Sequence, residues 1–327
     1  MVEAIFPNLY KIEVPLRGNP LKAVNSYVIT GGDRNLIIDT GLNRPDCMAV
    51  IQAGIKELNI EPEDTDFFIT HVHADHFALV SKLATDSSRI YFNVPDARRF
   101  GQNGMWEALL EKGRQNGFPE KALLKAIQSH PGYKYGARLE RPLTLLREGD
   151  TIRTGPYLLE CVETPGHTRG HMCLYERRMK ILFSGDHLLG DITPNIQAWF
   201  DDHALRKYLL SLDKVYRLDV NRVLPGHRRS FTNCRGRIEE LKYHHEKRAG
   251  EVLTILRKGD RHAYDVASEM TWDIVCDSWD QFPLSQKWFA MGEALAHLKY
   301  LQGDGALSSR EAEGKIIYAL NSDHLSE

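Results

Sequence analysis

One short stretch of the chain is dense in residues that can bind metal ions. His71, His73, Asp75 and His76 fall within six consecutive positions, directly after the mostly apolar residues 66–69. In a tight turn at a strand end, side chains at i and i+2 can point one way, while the turn brings back those at i+4 and i+5. This loop can therefore serve two ions, with His71 and His73 on one and Asp75 and His76 on the other. Such imidazole and carboxylate ligands suit Zn, Fe or Mn.

Two alternatives to a metal-binding turn are scattered surface histidines and a helical metalloprotease site. Single surface histidines are common, but the density here and the partners further along the chain favour a metal site. A helical metalloprotease site needs His-Glu-x-x-His on one helix face, and residues 71–76 lack that spacing. The sequence therefore predicts a metal site in a turn that follows a strand.

Three later strands also end in a turn that carries a histidine or an aspartate. His167 follows a Thr-Pro-Gly turn, Asp186 follows Ser-Gly, and His227 follows Pro-Gly. Proline and glycine end a strand and force the chain to turn. In α/β sandwiches, functional side chains gather where strand ends open into loops at one edge of the sheets. The repeated pattern predicts that these three residues meet the first loop.

Asp39 ends another predicted strand, 35–39, which pairs with strand 23–30 through a turn at residues 31–34. A buried carboxylate needs a hydrogen-bonding partner. Asp39 is therefore expected either to cap a turn or to brace the metal loop. His171 is expected to be a packed structural residue.

The remaining pattern alternates between helical spacing and short β runs. It predicts helices over 45–58, 97–128 and 205–216, and strands over 91–94, 143–146, 151–153, 157–163, 172–175, 180–183 and 222–224. Gly117 to Pro119 divide the second helix in two. This helical insertion, at about 97–142, is expected to be either scaffold or a cap over the site. From about residue 246, short amphipathic helices and a strand at 315–320 are predicted.

Length and composition limit the class of protein. The 327 residues favour two domains, at 1–245 and 246–327, and the net charge of −2 gives no reason to expect a polyanion partner. The start of the chain lacks a basic region followed by an apolar core, and no apolar run approaches the roughly 18 residues of a membrane span. Five widely spaced cysteines fit reduced thiols. We therefore expect a soluble cytoplasmic protein.

Taken in order, these motifs resemble the metallo-β-lactamase fold superfamily over roughly residues 1–245. The motifs are His-x-His-x-Asp-His at 71–76, Pro-Gly-His-Thr at 165–168, Gly-Asp at 185–186 and Pro-Gly-His at 225–227. No ligand is replaced by cysteine, which resembles the glyoxalase II-like and ribonuclease-related branches more than the class B β-lactamases. The resemblance implies a four-layer αβ/βα sandwich with the site at one edge. It assigns one ion to His71, His73 and His167, the second to Asp75, His76 and His227, and a bridging role to Asp186.

A hydrolytic mechanism follows from two such ions. Divalent ions about 3.5–4 Å apart lower the pKa of a shared water, which gives a bridging hydroxide that can attack a thioester, ester or lactone carbonyl. Asp75, beside that water, is the expected catalytic residue and would orient the water or shuttle its proton. Zinc is the expected metal, with iron or manganese as alternatives.

Other activities of the same fold remain as alternatives. A phosphodiesterase or endoribonuclease is the runner-up, and an oxygen-handling di-iron protein is the third hypothesis. Flavodiiron proteins resemble a variant with glutamate at the second ligand position, where this chain has His73. Aromatic residues near the predicted site loops, Trp106, Trp199 and Phe200, favour a small acyl substrate.

The C-terminal residues 246–327 resemble the winged-helix appendage of some hydrolases of this fold. They contain 9 Lys plus Arg and 14 Asp plus Glu, a net charge of 9 − 14 = −5. Nucleic-acid binding requires a basic cluster, so a nucleic-acid partner is not expected. No membrane partner is expected either. A pocket wall or a homodimer contact is the preferred role for this domain.

Overall fold

A computed structural model of the chain describes residues 2–98, 104–137 and 139–321. The described residues form two compact units. The first draws on the described residues within 1–102, 134–194 and 211–238, and the second on those within 103–133, 195–210 and 239–327. Some positions of the predicted insertion and of the predicted C-terminal domain lie outside the described residues, namely 99–103, 138 and 322–327.

The first unit contains a seven-stranded sheet whose strands follow one another in chain order. Its strands are β1 (Val2–Phe6), β2 (Leu9–Pro15), β3 (Ala23–Ile29), β4 (Asn35–Ile38), β5 (Thr65–Phe68), β6 (Ile90–Asn93) and β7 (Thr144–Leu146). The strands from β1 to β4 pair antiparallel. The strands from β4 to β7 pair parallel, so the carboxyl ends of β4, β5 and β6 lie at one edge.

A second, five-stranded sheet supplies another set of aligned strand ends. Its strands are β8 (Thr151–Thr154), β9 (Tyr157–Glu163), β10 (Met172–Glu176), β11 (Ile181–Gly185) and β12 (Arg222–Pro225). They lie in the order β12-β11-β10-β9-β8. Both β9 and β11 pair antiparallel with β10, and β12 is parallel to β11. The strands β9, β11 and β12 therefore run in one direction and end at the same edge.

Adjacent phenylalanines on β5 show how the first sheet is buried on both faces. Phe68 joins a core that contains Leu174 and Phe183 of the second sheet, so the two sheets pack face to face. Phe67 joins the opposite core, in which Ile51 of the helix at Pro45–Glu57 packs on the sheet. Successive side chains of a strand point to opposite faces, and a strand covered on both faces reads as a continuous apolar run.

The helices lie between and after these strands. They are α1 (Pro45–Glu57), α2 (Ala74–Phe77), α3 (Val80–Leu83), α4 (Val94–Ala97), α5 (Met105–Gln115), α6 (Glu120–Ser129), α7 (Pro131–Tyr135), α8 (Ala204–Tyr216), α9 (Cys234–Leu256), α10 (Ala263–Glu269) and α11 (Leu284–Gly303). Single 3₁₀ turns lie at Pro62–Asp64 and Trp279–Gln281. The predicted helices at 45–58 and 205–216 are confirmed. The prediction of a separate short helix after residue 246 is wrong, because α9 runs unbroken from Cys234.

The second unit is mainly helical and has an aromatic centre. Trp288 of α11 stacks on Trp199, with ring centroids 4.2 Å apart, and Phe118 lies 5.7 Å from Trp288. Trp199 is only 3% exposed. It is therefore a core residue, and its position gives no support to its use as evidence for a small acyl substrate.

A two-stranded antiparallel sheet follows α11 in the second unit. It pairs β13 (Leu307–Ala312) with β14 (Lys315–Leu320). Among the described residues, no helix combines the length and the apolar character needed to cross a bilayer.

Candidate metal centre

The aligned strand ends of the first unit bring all seven predicted ligands together. The loop after β5 contributes His71 and His73, and the turn after β9 contributes His167. The His71 Nε2 and His73 Nδ1 atoms are 3.0 Å apart, and His167 Nε2 lies 2.9 Å from the same His73 nitrogen. Two ligand atoms on one tetrahedral zinc are separated by about 3.4 Å, given Zn–N bonds of about 2.0–2.1 Å. The three nitrogens are thus spaced as the ligands of one ion would be.

A second group of side chains lies beside the first. Asp75, His76 and His227 each offer one ligand atom, and these atoms lie within 4.8 Å of one another. The His227 Nε2 atom is 3.6 Å from Asp75 Oδ2. His76 and His227 are fully buried, whereas the Asp75 side chain is 16% exposed. The second group therefore has one ligand that can meet solvent.

Asp186 lies between the two groups. Its Oδ2 atom is 3.6 Å from His167 Nε2 and 3.4 Å from His227 Nε2, and its Oδ1 atom is 3.6 Å from His76 Nε2. Next to it, a Cβ atom at Gly226 would lie 2.6 Å from Asp186 Oδ1, closer than real Cβ contacts come. A glycine in the Pro-Gly-His turn thus gives this carboxylate its space. The bridging role of Asp186 stays a prediction.

Hydrogen bonds on the outward ring nitrogens orient three of the histidines. The Nδ1 atom of His71 lies 2.9 Å from Thr70 Oγ1, that of His76 lies 2.7 Å from Asp39 Oδ2, and that of His227 lies 2.6 Å from the Ala23 carbonyl oxygen. Each bond leaves Nε2 facing the centre. Outer partners of this kind fix the tautomer and orientation of metal-binding histidines.

Asp39 braces the metal loop, the second of its two predicted roles. Its carboxylate accepts hydrogen bonds from the backbone N–H of Thr70 at 2.9 Å and from the Thr70 hydroxyl at 2.8 Å. It also faces His76 Nδ1 and is 1% exposed. The costly buried carboxylate thereby gains three partners.

The donor set passes a chemical test for metal binding. Within the described residues, the buried atoms His76 Nε2, His227 Nε2 and Asp186 Oδ1 have no hydrogen-bond partner. Leaving such atoms buried without a partner costs about 1–3 kcal/mol each, and more for charged groups. A cation at the centre would satisfy all three atoms at once. The histidine and aspartate clusters therefore fit a dinuclear metal site.

Electrostatics puts two ligands, His71 and Asp186, in the protonation states that metal binding requires. For His76 and His227 the opposite holds, because the attraction of nearby carboxylates, Asp186 above all for His227, outweighs burial and raises their pKa. Burial, together with the neighbouring imidazoles of His76 and His73, holds the pKa of His71 well below its usual value, so its ring is neutral. Burial alone would raise the pKa of Asp186. The imidazoles of His227 and His76 reverse that effect and hold the pKa well below normal, so the carboxylate is ionised.

Other residues support the centre from outside the ligand set. His171 is fully buried, as expected of a packed residue, and its Nε2 atom accepts a hydrogen bond from the backbone N–H of Asp186 at 3.1 Å. Its Nδ1 atom lies 2.7 Å from Thr164 Oγ1. Burial lowers the pKa of the adjacent His187 to about 3.

Sequence reasoning missed Asp96, a fully buried carboxylate that follows β6. It accepts hydrogen bonds from loops on both sides of the first ligand group. An available signal was the segment Asn-Val-Pro-Asp at 93–96, which places an acidic residue just after a strand parallel to β5.

Comparisons with known proteins agree with this geometry. The family model described as the metallo-beta-lactamase superfamily matches residues 19–227, and a model described as the metallo-beta-lactamase-like C-terminal domain matches residues 250–320. A metallo-beta-lactamase family protein from Thermus thermophilus has the same fold, with a TM-score of 0.83 and 27% identity. The match covers 97% of this chain and 100% of that one.

Two curated relatives carry functional names. The chain is 26% identical to the Bacillus subtilis protein named "Probable metallo-hydrolase YqjP", over 88% of this chain and 90% of that protein. It is 28% identical to the Gallus gallus "Acyl-coenzyme A thioesterase MBLAC2", over 63% of this chain and 73% of that protein. Together with the two-sheet fold, the metal-binding clusters and the family match, these findings give one conclusion. The chain belongs to the metallo-β-lactamase superfamily and is a metal-dependent hydrolase.

Proposed function

We propose that this hydrolase cleaves the thioester bond, or a related ester bond, of a small acyl substrate and uses two zinc ions as its cofactor. One observation carries the hydrolytic part: among the described residues, seven histidine and aspartate side chains converge and leave three buried ligand atoms without a hydrogen-bond partner. The acyl part is supported by the likeness to the protein named acyl-coenzyme A thioesterase.

The expected chemistry divides between the ions and the chain. Two bound divalent ions would supply an activated water and polarise the carbonyl oxygen of the substrate. His71, His73 and His167 would hold one ion, and Asp75, His76 and His227 would hold the other, with Asp186 shared. Asp75 would accept the proton from the attacking water and pass it to the departing thiolate, because it is a carboxylate of the ligand set whose side chain is 16% exposed. The products are a carboxylic acid and a thiol.

The finer architecture is part of the same proposal. The two facing sheets would be the centre of a four-layer αβ/βα sandwich. In the second unit, α10 and α11 followed by the β13–β14 hairpin would be a winged-helix-like module. Its acidic balance argues against nucleic acid as a partner. We propose that the module contributes instead to a pocket wall or a homodimer contact.

Elemental analysis of the purified protein, paired with a substrate panel, tests the proposal. The panel contains acyl-CoA thioesters, simple esters, lactones and bis-p-nitrophenyl phosphate. About two zinc ions per chain with thioester or ester turnover is the expected result. Two metal ions with turnover of the phosphodiester alone would overturn the acyl assignment in favour of a phosphodiesterase. Iron with oxygen uptake would overturn hydrolysis itself.

A matched pair of variants separates turnover by the centre from turnover by a contaminant. His71→Ala removes a ligand, whereas His203→Ala removes an exposed histidine of the second unit. Thioester turnover that survives in His71→Ala at the level of His203→Ala would show that the measured activity does not belong to this site.

A further inference from the structure

Asp96 links the two loops that supply the first ligand group. Its Oδ2 atom accepts a hydrogen bond from the backbone N–H of Val72 at 3.0 Å and another from the Thr168 hydroxyl at 2.7 Å. Its Oδ1 atom accepts from the backbone N–H of Gly170 at 2.9 Å. Val72 lies between His71 and His73, and Thr168 directly follows His167. One carboxylate thus joins the residue between two ligands to the residue after the third.

The two loops come from different sheets, which gives this link its importance. The loop 69–76 follows β5 of the seven-stranded sheet, and the turn at 164–171 follows β9 of the five-stranded sheet. The spacing of His167 from His73 depends on how these two strand ends are held together. Asp96 is fully buried, so water does not compete for its hydrogen bonds.

The surroundings fix Asp96 itself. The Asn93 side chain accepts a hydrogen bond from the Asp96 backbone N–H at 2.9 Å and caps α4. A Cβ atom at Gly170 would lie 1.7 Å from Asn93 Oδ1 and 2.6 Å from Asp96 N. Only glycine therefore allows the turn after β9 to approach α4 closely enough for these bonds. Asp96 is therefore held both by its backbone N–H and by its carboxylate oxygens.

We infer that Asp96 is a positioning residue for the first metal ion and sets the spacing of His71, His73 and His167. The inference rests on the proposed dinuclear site and concerns how the chain builds it. Asp96 need not touch substrate or metal in this role. It acts through two backbone N–H groups and one hydroxyl, so its effect should appear in metal affinity before it appears in chemistry.

Asp96→Asn is a stringent test because it keeps the size of the side chain. In Asp96, the backbone N–H of Val72 donates to one carboxylate oxygen and that of Gly170 donates to the other. An asparagine side chain has only one oxygen, so it can accept only one of these two hydrogen bonds. In either orientation of the amide, one backbone N–H faces an N–H₂ donor. Replacing outer partners of metal ligands commonly costs 10–100-fold in metal affinity.

The control is another buried carboxylate of the same sheet. Asp66 is 5% exposed and accepts hydrogen bonds from the Arg89 backbone and the Arg34 side chain, at the start of β5 rather than at its ligand-bearing end. Asp66→Asn should destabilise the fold without disturbing the ligand loops. It separates a loss of metal caused by general instability from a loss caused by positioning.

The experiment measures zinc affinity by competition with a chromophoric chelator. Both substitutions are made in the wild-type chain and in a His227→Ala background, in which the first ligand group provides the remaining tight site. We expect Asp96→Asn to weaken that site about 10–100-fold. We expect Asp66→Asn to leave it unchanged. Equal losses in the two variants, or no loss in Asp96→Asn, would overturn the inference.

A second pair of variants applies if Asp96→Asn does not fold. Thr168→Val keeps both backbone bonds and removes only the hydroxyl, and Thr168→Ser restores it. We expect Thr168→Val to weaken zinc binding about tenfold and Thr168→Ser to recover the wild-type affinity. Equal affinities in all three chains would contradict the inference.

The same data separate this inference from the proposed function. A wild-type chain that binds two zinc ions but hydrolyses no ester would overturn the acyl proposal, while the affinities of the variants would still decide the role of Asp96. A wild-type chain that binds no zinc would overturn both.

Discussion

At the residue scale, the direction of each imidazole decides what the centre can bind. His76 and His227 turn Nδ1 outward to Asp39 and to the Ala23 carbonyl, and their Nε2 atoms face Asp186. His73 does the opposite, because its Nδ1 atom lies nearest to the other ligands. Histidines of one loop can therefore face the centre with different ring nitrogens, Nδ1 in His73 and Nε2 in His76. This difference allows residues 71–76 to serve two ions.

Removing one ligand should abolish most of the activity and leave the fold intact. We expect His71→Ala and Asp186→Ala each to lower kcat by at least about 100-fold, since even outer partners are worth 10–100-fold. Steady-state kinetics and circular dichroism measure the two effects. The exposed His203→Ala is the control. Near-normal turnover by either variant after metal depletion would contradict the hydrolase mechanism.

The glycine beside Asp186 should tolerate no side chain. A methyl group at Gly226 would meet Asp186 Oδ1 at 2.6 Å and His76 Cε1 at 2.9 Å. Because both neighbours belong to the ligand set, we expect Gly226→Ala to weaken metal binding and turnover at least about tenfold. Zinc competition and kinetics would show this loss. Full activity in Gly226→Ala would mean that the ligand cluster can shift to make room.

At the element scale, replacing Gly250 by alanine should be favourable, in contrast to the same replacement at Gly226. It lies inside α9, and a Cβ atom there would meet nothing within 4 Å. Alanine is favoured over glycine in a helix interior by about 0.5–1 kcal/mol. We expect Gly250→Ala to raise the free energy of unfolding by about that amount, with unchanged turnover. Denaturant unfolding measures the gain, and a loss of stability would show that the helix needs glycine here.

The contact between α9 and α11 in the second unit should make stability depend on pH. His297 Nδ1 lies 2.9 Å from the Glu293 carbonyl oxygen, and His297 Nε2 lies 3.2 Å from His245 Nδ1. Burial lowers the pKa of His297 to about 3 and holds the pKa of His245 well below its usual value. Both rings are therefore neutral in the folded chain at physiological pH.

The sign of the pH effect follows from linkage. Between about pH 6.5 and pH 3 the unfolded chain binds a proton at His297 that the folded chain does not, so stability falls as the pH falls. From pH 7.5 to 5.5 the loss from His297 is about 1.4 kcal/mol. We expect His297→Asn to be less stable at pH 7.5 but to lose less on acidification. Parallel stability curves for the two chains would contradict this.

Much of this element-scale organisation could be predicted from the sequence, because its signals are local. The Pro-Gly turns before His167 and His227 mark strand ends directly. The continuity of α9 was missed, since the change of pattern at about residue 246 lies inside this helix and does not end it. Asp96 was missed because its partners lie 24, 72 and 74 positions away along the chain. Such contacts depend on sheet pairing, which local periodicity does not encode.

At the scale of the whole molecule, the ligand set ties the two sheets of the first unit together. The loop after β5 belongs to one sheet, and the turns that carry His167, Asp186 and His227 belong to the other. Ions bound here would connect these strand ends in the folded chain alone. A ligand that binds only the folded state stabilises it by mass action.

Chelation should therefore lower the melting temperature. An ion present at 100 times its Kd contributes about 2.7 kcal/mol. For units of this size, 1 kcal/mol corresponds to about 2–4 °C, so removing one such ion should lower the Tm by about 5–10 °C. Calorimetry before and after dialysis against EDTA, followed by zinc restoration, measures the change. A chain with both His71→Ala and His227→Ala is the control and should show almost no shift. A wild-type chain that lost its zinc with an unchanged Tm would show that the folded chain binds zinc no more tightly than the unfolded chain does. The stability of the first unit would then come from the packing between its sheets.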